Sequence, residues 1–157
     1  MLTKQRTIVD LQSNAMNLDF SSLANAILQL EKSIRFAQSE MAQQDMELFE
    51  QLRNSVIQCF EFTYELSWKM LKRYLEEIAA NPDELDGCSF QTLIRIGNQH
   101  GLLRSDWMSW KQYRQARTDS SHTYDADKAE NVYGIAPDFL EEARYLYQQL
   151  IQQSRIA

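Results

Sequence analysis

A chain of 157 residues with 44% hydrophobic residues is long enough for one domain with a real core, and its net charge of −6 excludes broad, nonspecific nucleic-acid binding. Four glycines, two prolines and abundant helix formers exclude a strand-rich fold, and the isolated Cys59 and Cys88 exclude a disulfide framework or zinc site. No apolar run reaches membrane-spanning length and no signal-peptide pattern opens the chain, so a cytoplasmic protein with no membrane partner is expected.

Residues 1–15 differ in character from the rest, and Ser13-Asn14-Ala15 before Met16 has the look of a cloning scar. The expectation is a non-native leader over 1–15 and a single helical domain over 16–157. Ser21 or Ser22 is placed to cap a first helix, whose seam runs through Leu23, Ile27, Leu30, Ile34, Ala37 and Met41. After a polar break at Gln43-Gln44-Asp45, a long helix is predicted from about Asp45 to Ala80, with Leu52, Val56, Phe60, Thr63, Ser67, Met70, Tyr74 and Ile78 on one stripe. Asn81-Pro82-Asp83 ends it and opens a loop through Gly87. A short helix follows from Ser89 to Gln99 and closes at His100-Gly101.

Ser105 then caps a helix on which Trp107, Trp110, Arg114, Arg117 and Ser121 recur at spacings of 3, 4, 3 and 4. Beyond Asp125 a short helix is expected to about Val132, broken by Gly134. Pro137 then opens a terminal helix that packs through Leu140, Ala143, Tyr147, Leu150 and Ile151. The fold class is all-α, an antiparallel up-and-down bundle of four to five helices. Aromatics on several faces, at Phe60, Tyr64 and Trp68 and again at Trp107 and Trp110, predict a homodimer.

No Gly-rich phosphate loop, nucleophile elbow or metal-ligand spacing is present, so no cofactor and no metal are called, and the chain is not itself a nucleotidyltransferase. What remains is Arg-x₄-His, which occurs twice. Around Arg95 and His100 the glycines explain the composition as a helix cap. Around Arg117 and His122 stand Asp119, Ser121, Tyr124 and Asp125, with Lys111 and Arg114 completing a cationic patch. Arginine offers a fork for phosphate and histidine moves a proton near neutral pH, which suffices for attack of an RNA 2′-hydroxyl on its own phosphate. Arg117 and His122 are the candidate catalytic pair; Lys111, Arg114, Asp119 and Ser121 are candidate phosphate or RNA contacts. On an ideal helix Arg117 and His122 lie about 140° apart. They converge only if the helix loosens near Ser120-Ser121 or if two chains face each other.

Arg117-Thr-Asp-Ser-Ser-His122-Thr-Tyr124 resembles the Arg-x₄-His-x-Tyr signature of HEPN-domain proteins, and Phe60-Glu-Phe-Thr-Tyr-Glu-Leu-Ser-Trp-Lys69 is similar to the long-helix motif of their nucleotidyltransferase substrate-binding branch. The resemblance covers about residues 18–153, with Thr118 standing where many toxins carry Asn. It implies a dimeric helical bundle whose partner is a minimal nucleotidyltransferase. In toxin–antitoxin members it implies a metal-independent RNase, silenced when the partner adds AMP to the motif tyrosine, here Tyr124. A non-catalytic module that presents nucleotide or substrate to the transferase is the alternative.

Overall fold

The computed structural model describes residues 18–156, so the expected leader over 1–15 lies outside the described residues. Six α-helices carry these residues, with no strand among them: α1 (Ser21–Ala37), α2 (Glu40–Gln44), α3 (Met46–Ile78), α4 (Phe90–Gln99), α5 (Trp107–Asp119) and α6 (Ala126–Ile156). Tight 3-10 turns sit at Pro82–Glu84 and Ser120–His122. No described helix is long and apolar enough to cross a membrane.

Side-chain pairs fix the directions of the four main helices. Glu31 of α1 meets Arg144 of α6 at 3.1 Å while Leu28 faces Tyr147 and Gln148, so these two are antiparallel. Phe49 meets Tyr133 and Phe60 meets Phe139, so α3 and α6, alternate members of the bundle, run parallel. On α5, Trp110 lies by Tyr64 and Arg117 by Glu61, which sets α5 antiparallel to α3. The result is the expected up-and-down bundle, with α4 and the short α2 as connectors.

Helix ends depart from expectation where a carboxylate outcompetes a serine. Neither Ser21 nor Ser22 caps α1; Asp19 Oδ1 accepts the Ser21 N–H at 2.9 Å. The α1 seam is buried through Ala37 but does not reach Met41, which is 72% exposed. Ser39 accepts the Ala42 N–H and starts a new helix there, turning Ala42 inward instead. Asp45 caps α3 through the N–H groups of Glu47 and Leu48, and the 33-residue helix spans about 50 Å. Ser89 caps α4, and Gly101 ends it at φ +70°, a conformation that glycine adopts without a Cβ penalty. Gly97 does not interrupt α4, and a Cβ there would meet Leu103 at 2.9 Å.

The largest correction is α6. Gly134 and Pro137 were expected to separate two helices, yet one helix of 31 residues runs through both. Both residues lie on its exposed side, while Ala129, Val132, Ala136, Phe139, Ala143, Leu146 and Leu150 form an uninterrupted buried seam. A helical proline costs about 3 kcal/mol. Burying each large apolar side chain returns about 1.5–3 kcal/mol, so the seam as a whole wins.

Trp110 is the centre of the core, ringed by Tyr64, Phe90, Tyr113 and Phe139 at centroid distances of 5.4–6.3 Å. Phe60, Tyr64 and Trp110 are thus taken up inside one chain and leave nothing for a partner. An apolar groove of about 520 Å³ lies between α1 and α3, where Ala26, Cys59, Phe62 and Leu66 meet and Phe62 is 65% exposed.

Candidate functional site

Helix α5 is set in place from below. Ser105 does not cap it; Asp106 does, accepting the Met108 N–H at 3.1 Å. The Ser105 and Arg104 N–H groups instead donate to Glu142 of α6, at 3.1 and 2.8 Å. Burial pushes the Glu142 carboxyl above the usual range, opposed by those two backbone donors. Burial likewise lifts the neighbouring Tyr113 phenol to about 12. Trp110, Tyr113 and Ala116 are buried, which turns Lys111 and Arg114 to the surface and leaves Arg117 at its margin. Arg114 does not stand free, because its guanidinium lies over the Phe90 ring at 5.3 Å.

Arg117 finds its anionic partners on α3. Its Nε donates to Glu65 Oε1 at 3.2 Å, and Glu61 lies 3.9 Å from a terminal nitrogen. Its guanidinium also donates to the hydroxyls of Ser120 at 3.1 Å and Ser121 at 3.5 Å. The second oxygen of Glu65 takes the Trp68 indole N–H at 3.2 Å and lies 3.6 Å from Lys69 Nζ. The long-helix motif therefore serves as the seat of Arg117.

Beyond Asp119 the helix tightens to a 3-10 turn over Ser120–His122. A 3-10 residue turns about 120° rather than 100°, so the tightening carries His122 to about 160° from Arg117. No hydrogen bond joins the two side chains among the described residues. What the turn does bring together is His122 and Tyr124. Histidine Nδ1 lies 3.1 Å from the tyrosine hydroxyl, with the rings edge to face at 5.8 Å, and Tyr124 is 86% exposed. Asp119 is buried, its oxygens accepting from Gln115 Nε2 at 3.1 Å and from Asn131 Nδ2 at 2.9 Å, so it ties α5 to α6 beneath the turn. Ser121 is exposed beside Arg117, and Lys111 lies on the open face with Met108 and Gln115.

Glu61, Glu65, Gln115 and Asn131 were absent from the sequence expectation. The one signal available for the two glutamates was their i, i+4 spacing inside the aromatic motif, which places both carboxylates on one face. Among the described residues no group of three or more His, Cys, Asp or Glu side chains is arranged to hold a metal ion.

A family model described as nucleotidyltransferase substrate binding protein like matches residues 18–152. A Haemophilus influenzae protein described as a probable ribonuclease HepT is 37% identical over 145 residues, covering 92% of this chain and 95% of its own length. A solved Haemophilus influenzae structure, described as the fold of a substrate binding domain of a nucleotidyltransferase, matches with a TM-score of 0.78 and 36% identity, covering 84% of this chain and 98% of that one.

Proposed function

Since the chain belongs to the nucleotidyltransferase substrate binding protein-like family, we propose that it is the helical subunit of a two-component nucleotidyltransferase system, acting as a homodimeric, metal-independent RNase that is silenced by adenylylation of Tyr124. The observation that carries this is the 3.1 Å contact between His122 Nδ1 and the Tyr124 hydroxyl, next to the helix end that presents Arg117. With Nδ1 engaged, Nε2 is the nitrogen left for substrate. When Nδ1 donates to the tyrosine oxygen, Nε2 accepts the proton of an RNA 2′-hydroxyl. The 2′-oxygen attacks the adjacent phosphorus and the bond to the 5′-oxygen breaks. The proton taken up by the imidazole passes to the departing 5′-oxygen, so a 2′,3′-cyclic phosphate and a 5′-hydroxyl result and His122 is neutral again. Arg117 offsets the charge that builds on the phosphate, with Lys111, Arg114 and Ser121 along the strand. Because ideal helix geometry sets Arg117 and His122 about 160° apart and no hydrogen bond joins them among the described residues, the working site combines Arg117 of one copy with His122 of a second.

Silencing uses the exposure of Tyr124. Its oxygen attacks the α-phosphorus of ATP on the partner transferase, pyrophosphate leaves, and the attached AMP occupies the cationic patch in place of RNA. A second reading, a binding module without chemistry, draws support from the ion pairs that already neutralise Arg117.

Single-stranded RNA incubated with the protein in EDTA tests the proposal. Cutting is expected to fall at least about 100-fold in His122→Ala and Arg117→Ala, and to persist in His100→Ala. Treatment with the cognate transferase, ATP and magnesium is expected to stop cutting by the wild type, with AMP mapped to Tyr124. RNA left intact by the unmodified wild type sinks the RNase reading and favours the module.

A further inference from the structure

A second cleft opens at the other end of α5. We propose that this cleft, walled by Gln91, Thr92, Arg95, Asn98, Asp106 and Trp107, is a base-binding subsite for the RNA strand cut at the His122 end, an inference that rests on the RNase reading above. Its volume of about 580 Å³ falls within the range of small-ligand clefts. Trp107 supplies the stacking plate. It is half-buried and braced edge to face by Phe90 at 6.1 Å, so its position is fixed while part of its surface remains on the cleft. Arg95, exposed on α4, is the one cation among the cleft's walls and suits a backbone phosphate. Asn98 donates from Nδ2 to the Ile94 carbonyl, and Asp106 Oδ1 accepts the Met108 N–H. That leaves Asn98 Oδ1 and Asp106 Oδ2 as acceptors, the partner that an exocyclic amine of adenine, cytosine or guanine requires.

The cleft is joined to Arg117 by a continuous row. From Trp107 the contacts pass to Phe90, which carries Arg114 at 5.3 Å and meets Trp68 at 6.2 Å. Trp68 shares Glu65 with Arg117. Interleaved aromatics and guanidiniums are the surface on which single strands bind, bases on rings and phosphates on cations. Ten residues of α5 separate Trp107 from Arg117, about 15 Å of axis. A strand spanning the row therefore lays a base well removed from the cut bond into the cleft.

Fluorescence anisotropy with His122→Ala protein, which leaves RNA intact, tests this on a short single-stranded oligonucleotide and on a dinucleotide that fills only the Arg117 end. Adding Trp107→Ala is expected to weaken oligonucleotide binding about 5- to 150-fold, the loss of one stacked base, and to leave the dinucleotide unchanged. Trp107→Phe restores most of the loss. Arg95→Ala lowers the salt dependence by about one phosphate contact. Unchanged oligonucleotide affinity in both Trp107→Ala and Arg95→Ala overturns the subsite while the RNase reading stands, as does equal loss for both lengths. If the His122→Ala parent binds no RNA at all, the RNase reading falls and the subsite with it.

Discussion

Arg117 is held rather than free, and the proposed contact with RNA has to reckon with that. Its ion pair with Glu65 is about one-third exposed on both sides, so it is worth no more than about 1 kcal/mol of stability. The same carboxylate stands where a phosphate would approach. Glu65→Gln is therefore expected to change the melting temperature by less than about 4 °C and to tighten RNA binding several-fold at low salt. Unchanged or weaker binding by a folded variant would show that Glu65 orients Arg117 instead of competing for it. The candidate pair itself was legible in the sequence, because only one of the two Arg-x₄-His copies stands among polar neighbours. Its seat was not. Glu61 and Glu65 lie more than fifty positions upstream, and nothing local says which helix faces Arg117. Asp119 illustrates the same limit. Read alone it is a polar residue near a site, whereas its partners Gln115 and Asn131 make it a clamp between two helices.

At the scale of elements, caps and breakers were read from nearest neighbours, which held for Ser89 and Gly101 and failed in two ways. Ser105 looks like a cap until the adjacent Asp106 takes that place, and Gly134 with Pro137 looks like a break until the buried seam of α6 is seen to cross it. Long periodic stretches such as α3 needed no such help. Glu142 also makes the entry to α5 sensitive to pH. Its folded carboxyl titrates above the ordinary range, so between the two values the folded chain keeps a proton that the unfolded chain releases. Its contribution is full in acid and is lost as pH rises through the folded value. The stability advantage of wild type over Glu142→Gln, followed by urea unfolding, is expected to be largest in acid and to shrink as pH rises above the ordinary carboxylate range. A gap that stays constant would refute this. Glu142→Ala strands two backbone N–H groups, at about 1–3 kcal/mol for each.

At the scale of the whole molecule, Phe62 stands uncovered. Of the expected dimer aromatics, Phe60, Tyr64 and Trp110 proved to be core and Trp68 and Trp107 half-buried, while Phe62 and its groove remain exposed one helical turn from Glu65. A second copy seated there would border the Arg117 end, as a shared site requires. Light scattering is expected to give a dimer for wild type and a monomer for Phe62→Asp, with the melting profile of the subunit retained and RNA cutting lost. A monomeric wild type at micromolar concentration removes both the interface and the shared site. The bundle's connectivity has a further consequence, in time rather than space. Helix α1 touches α3 early in the chain, where the Thr63 hydroxyl reaches the Ala26 carbonyl, but it meets α6 only through contacts such as Glu31 with Arg144, near the end. During synthesis from the N-terminus, the α1–α3 hairpin can close long before α6 emerges from the ribosome. Until then the Phe60 ring lacks Phe139 and Asp119 lacks Asn131. The turn that carries His122 and Tyr124 therefore gains its tie to α6 only when that helix docks.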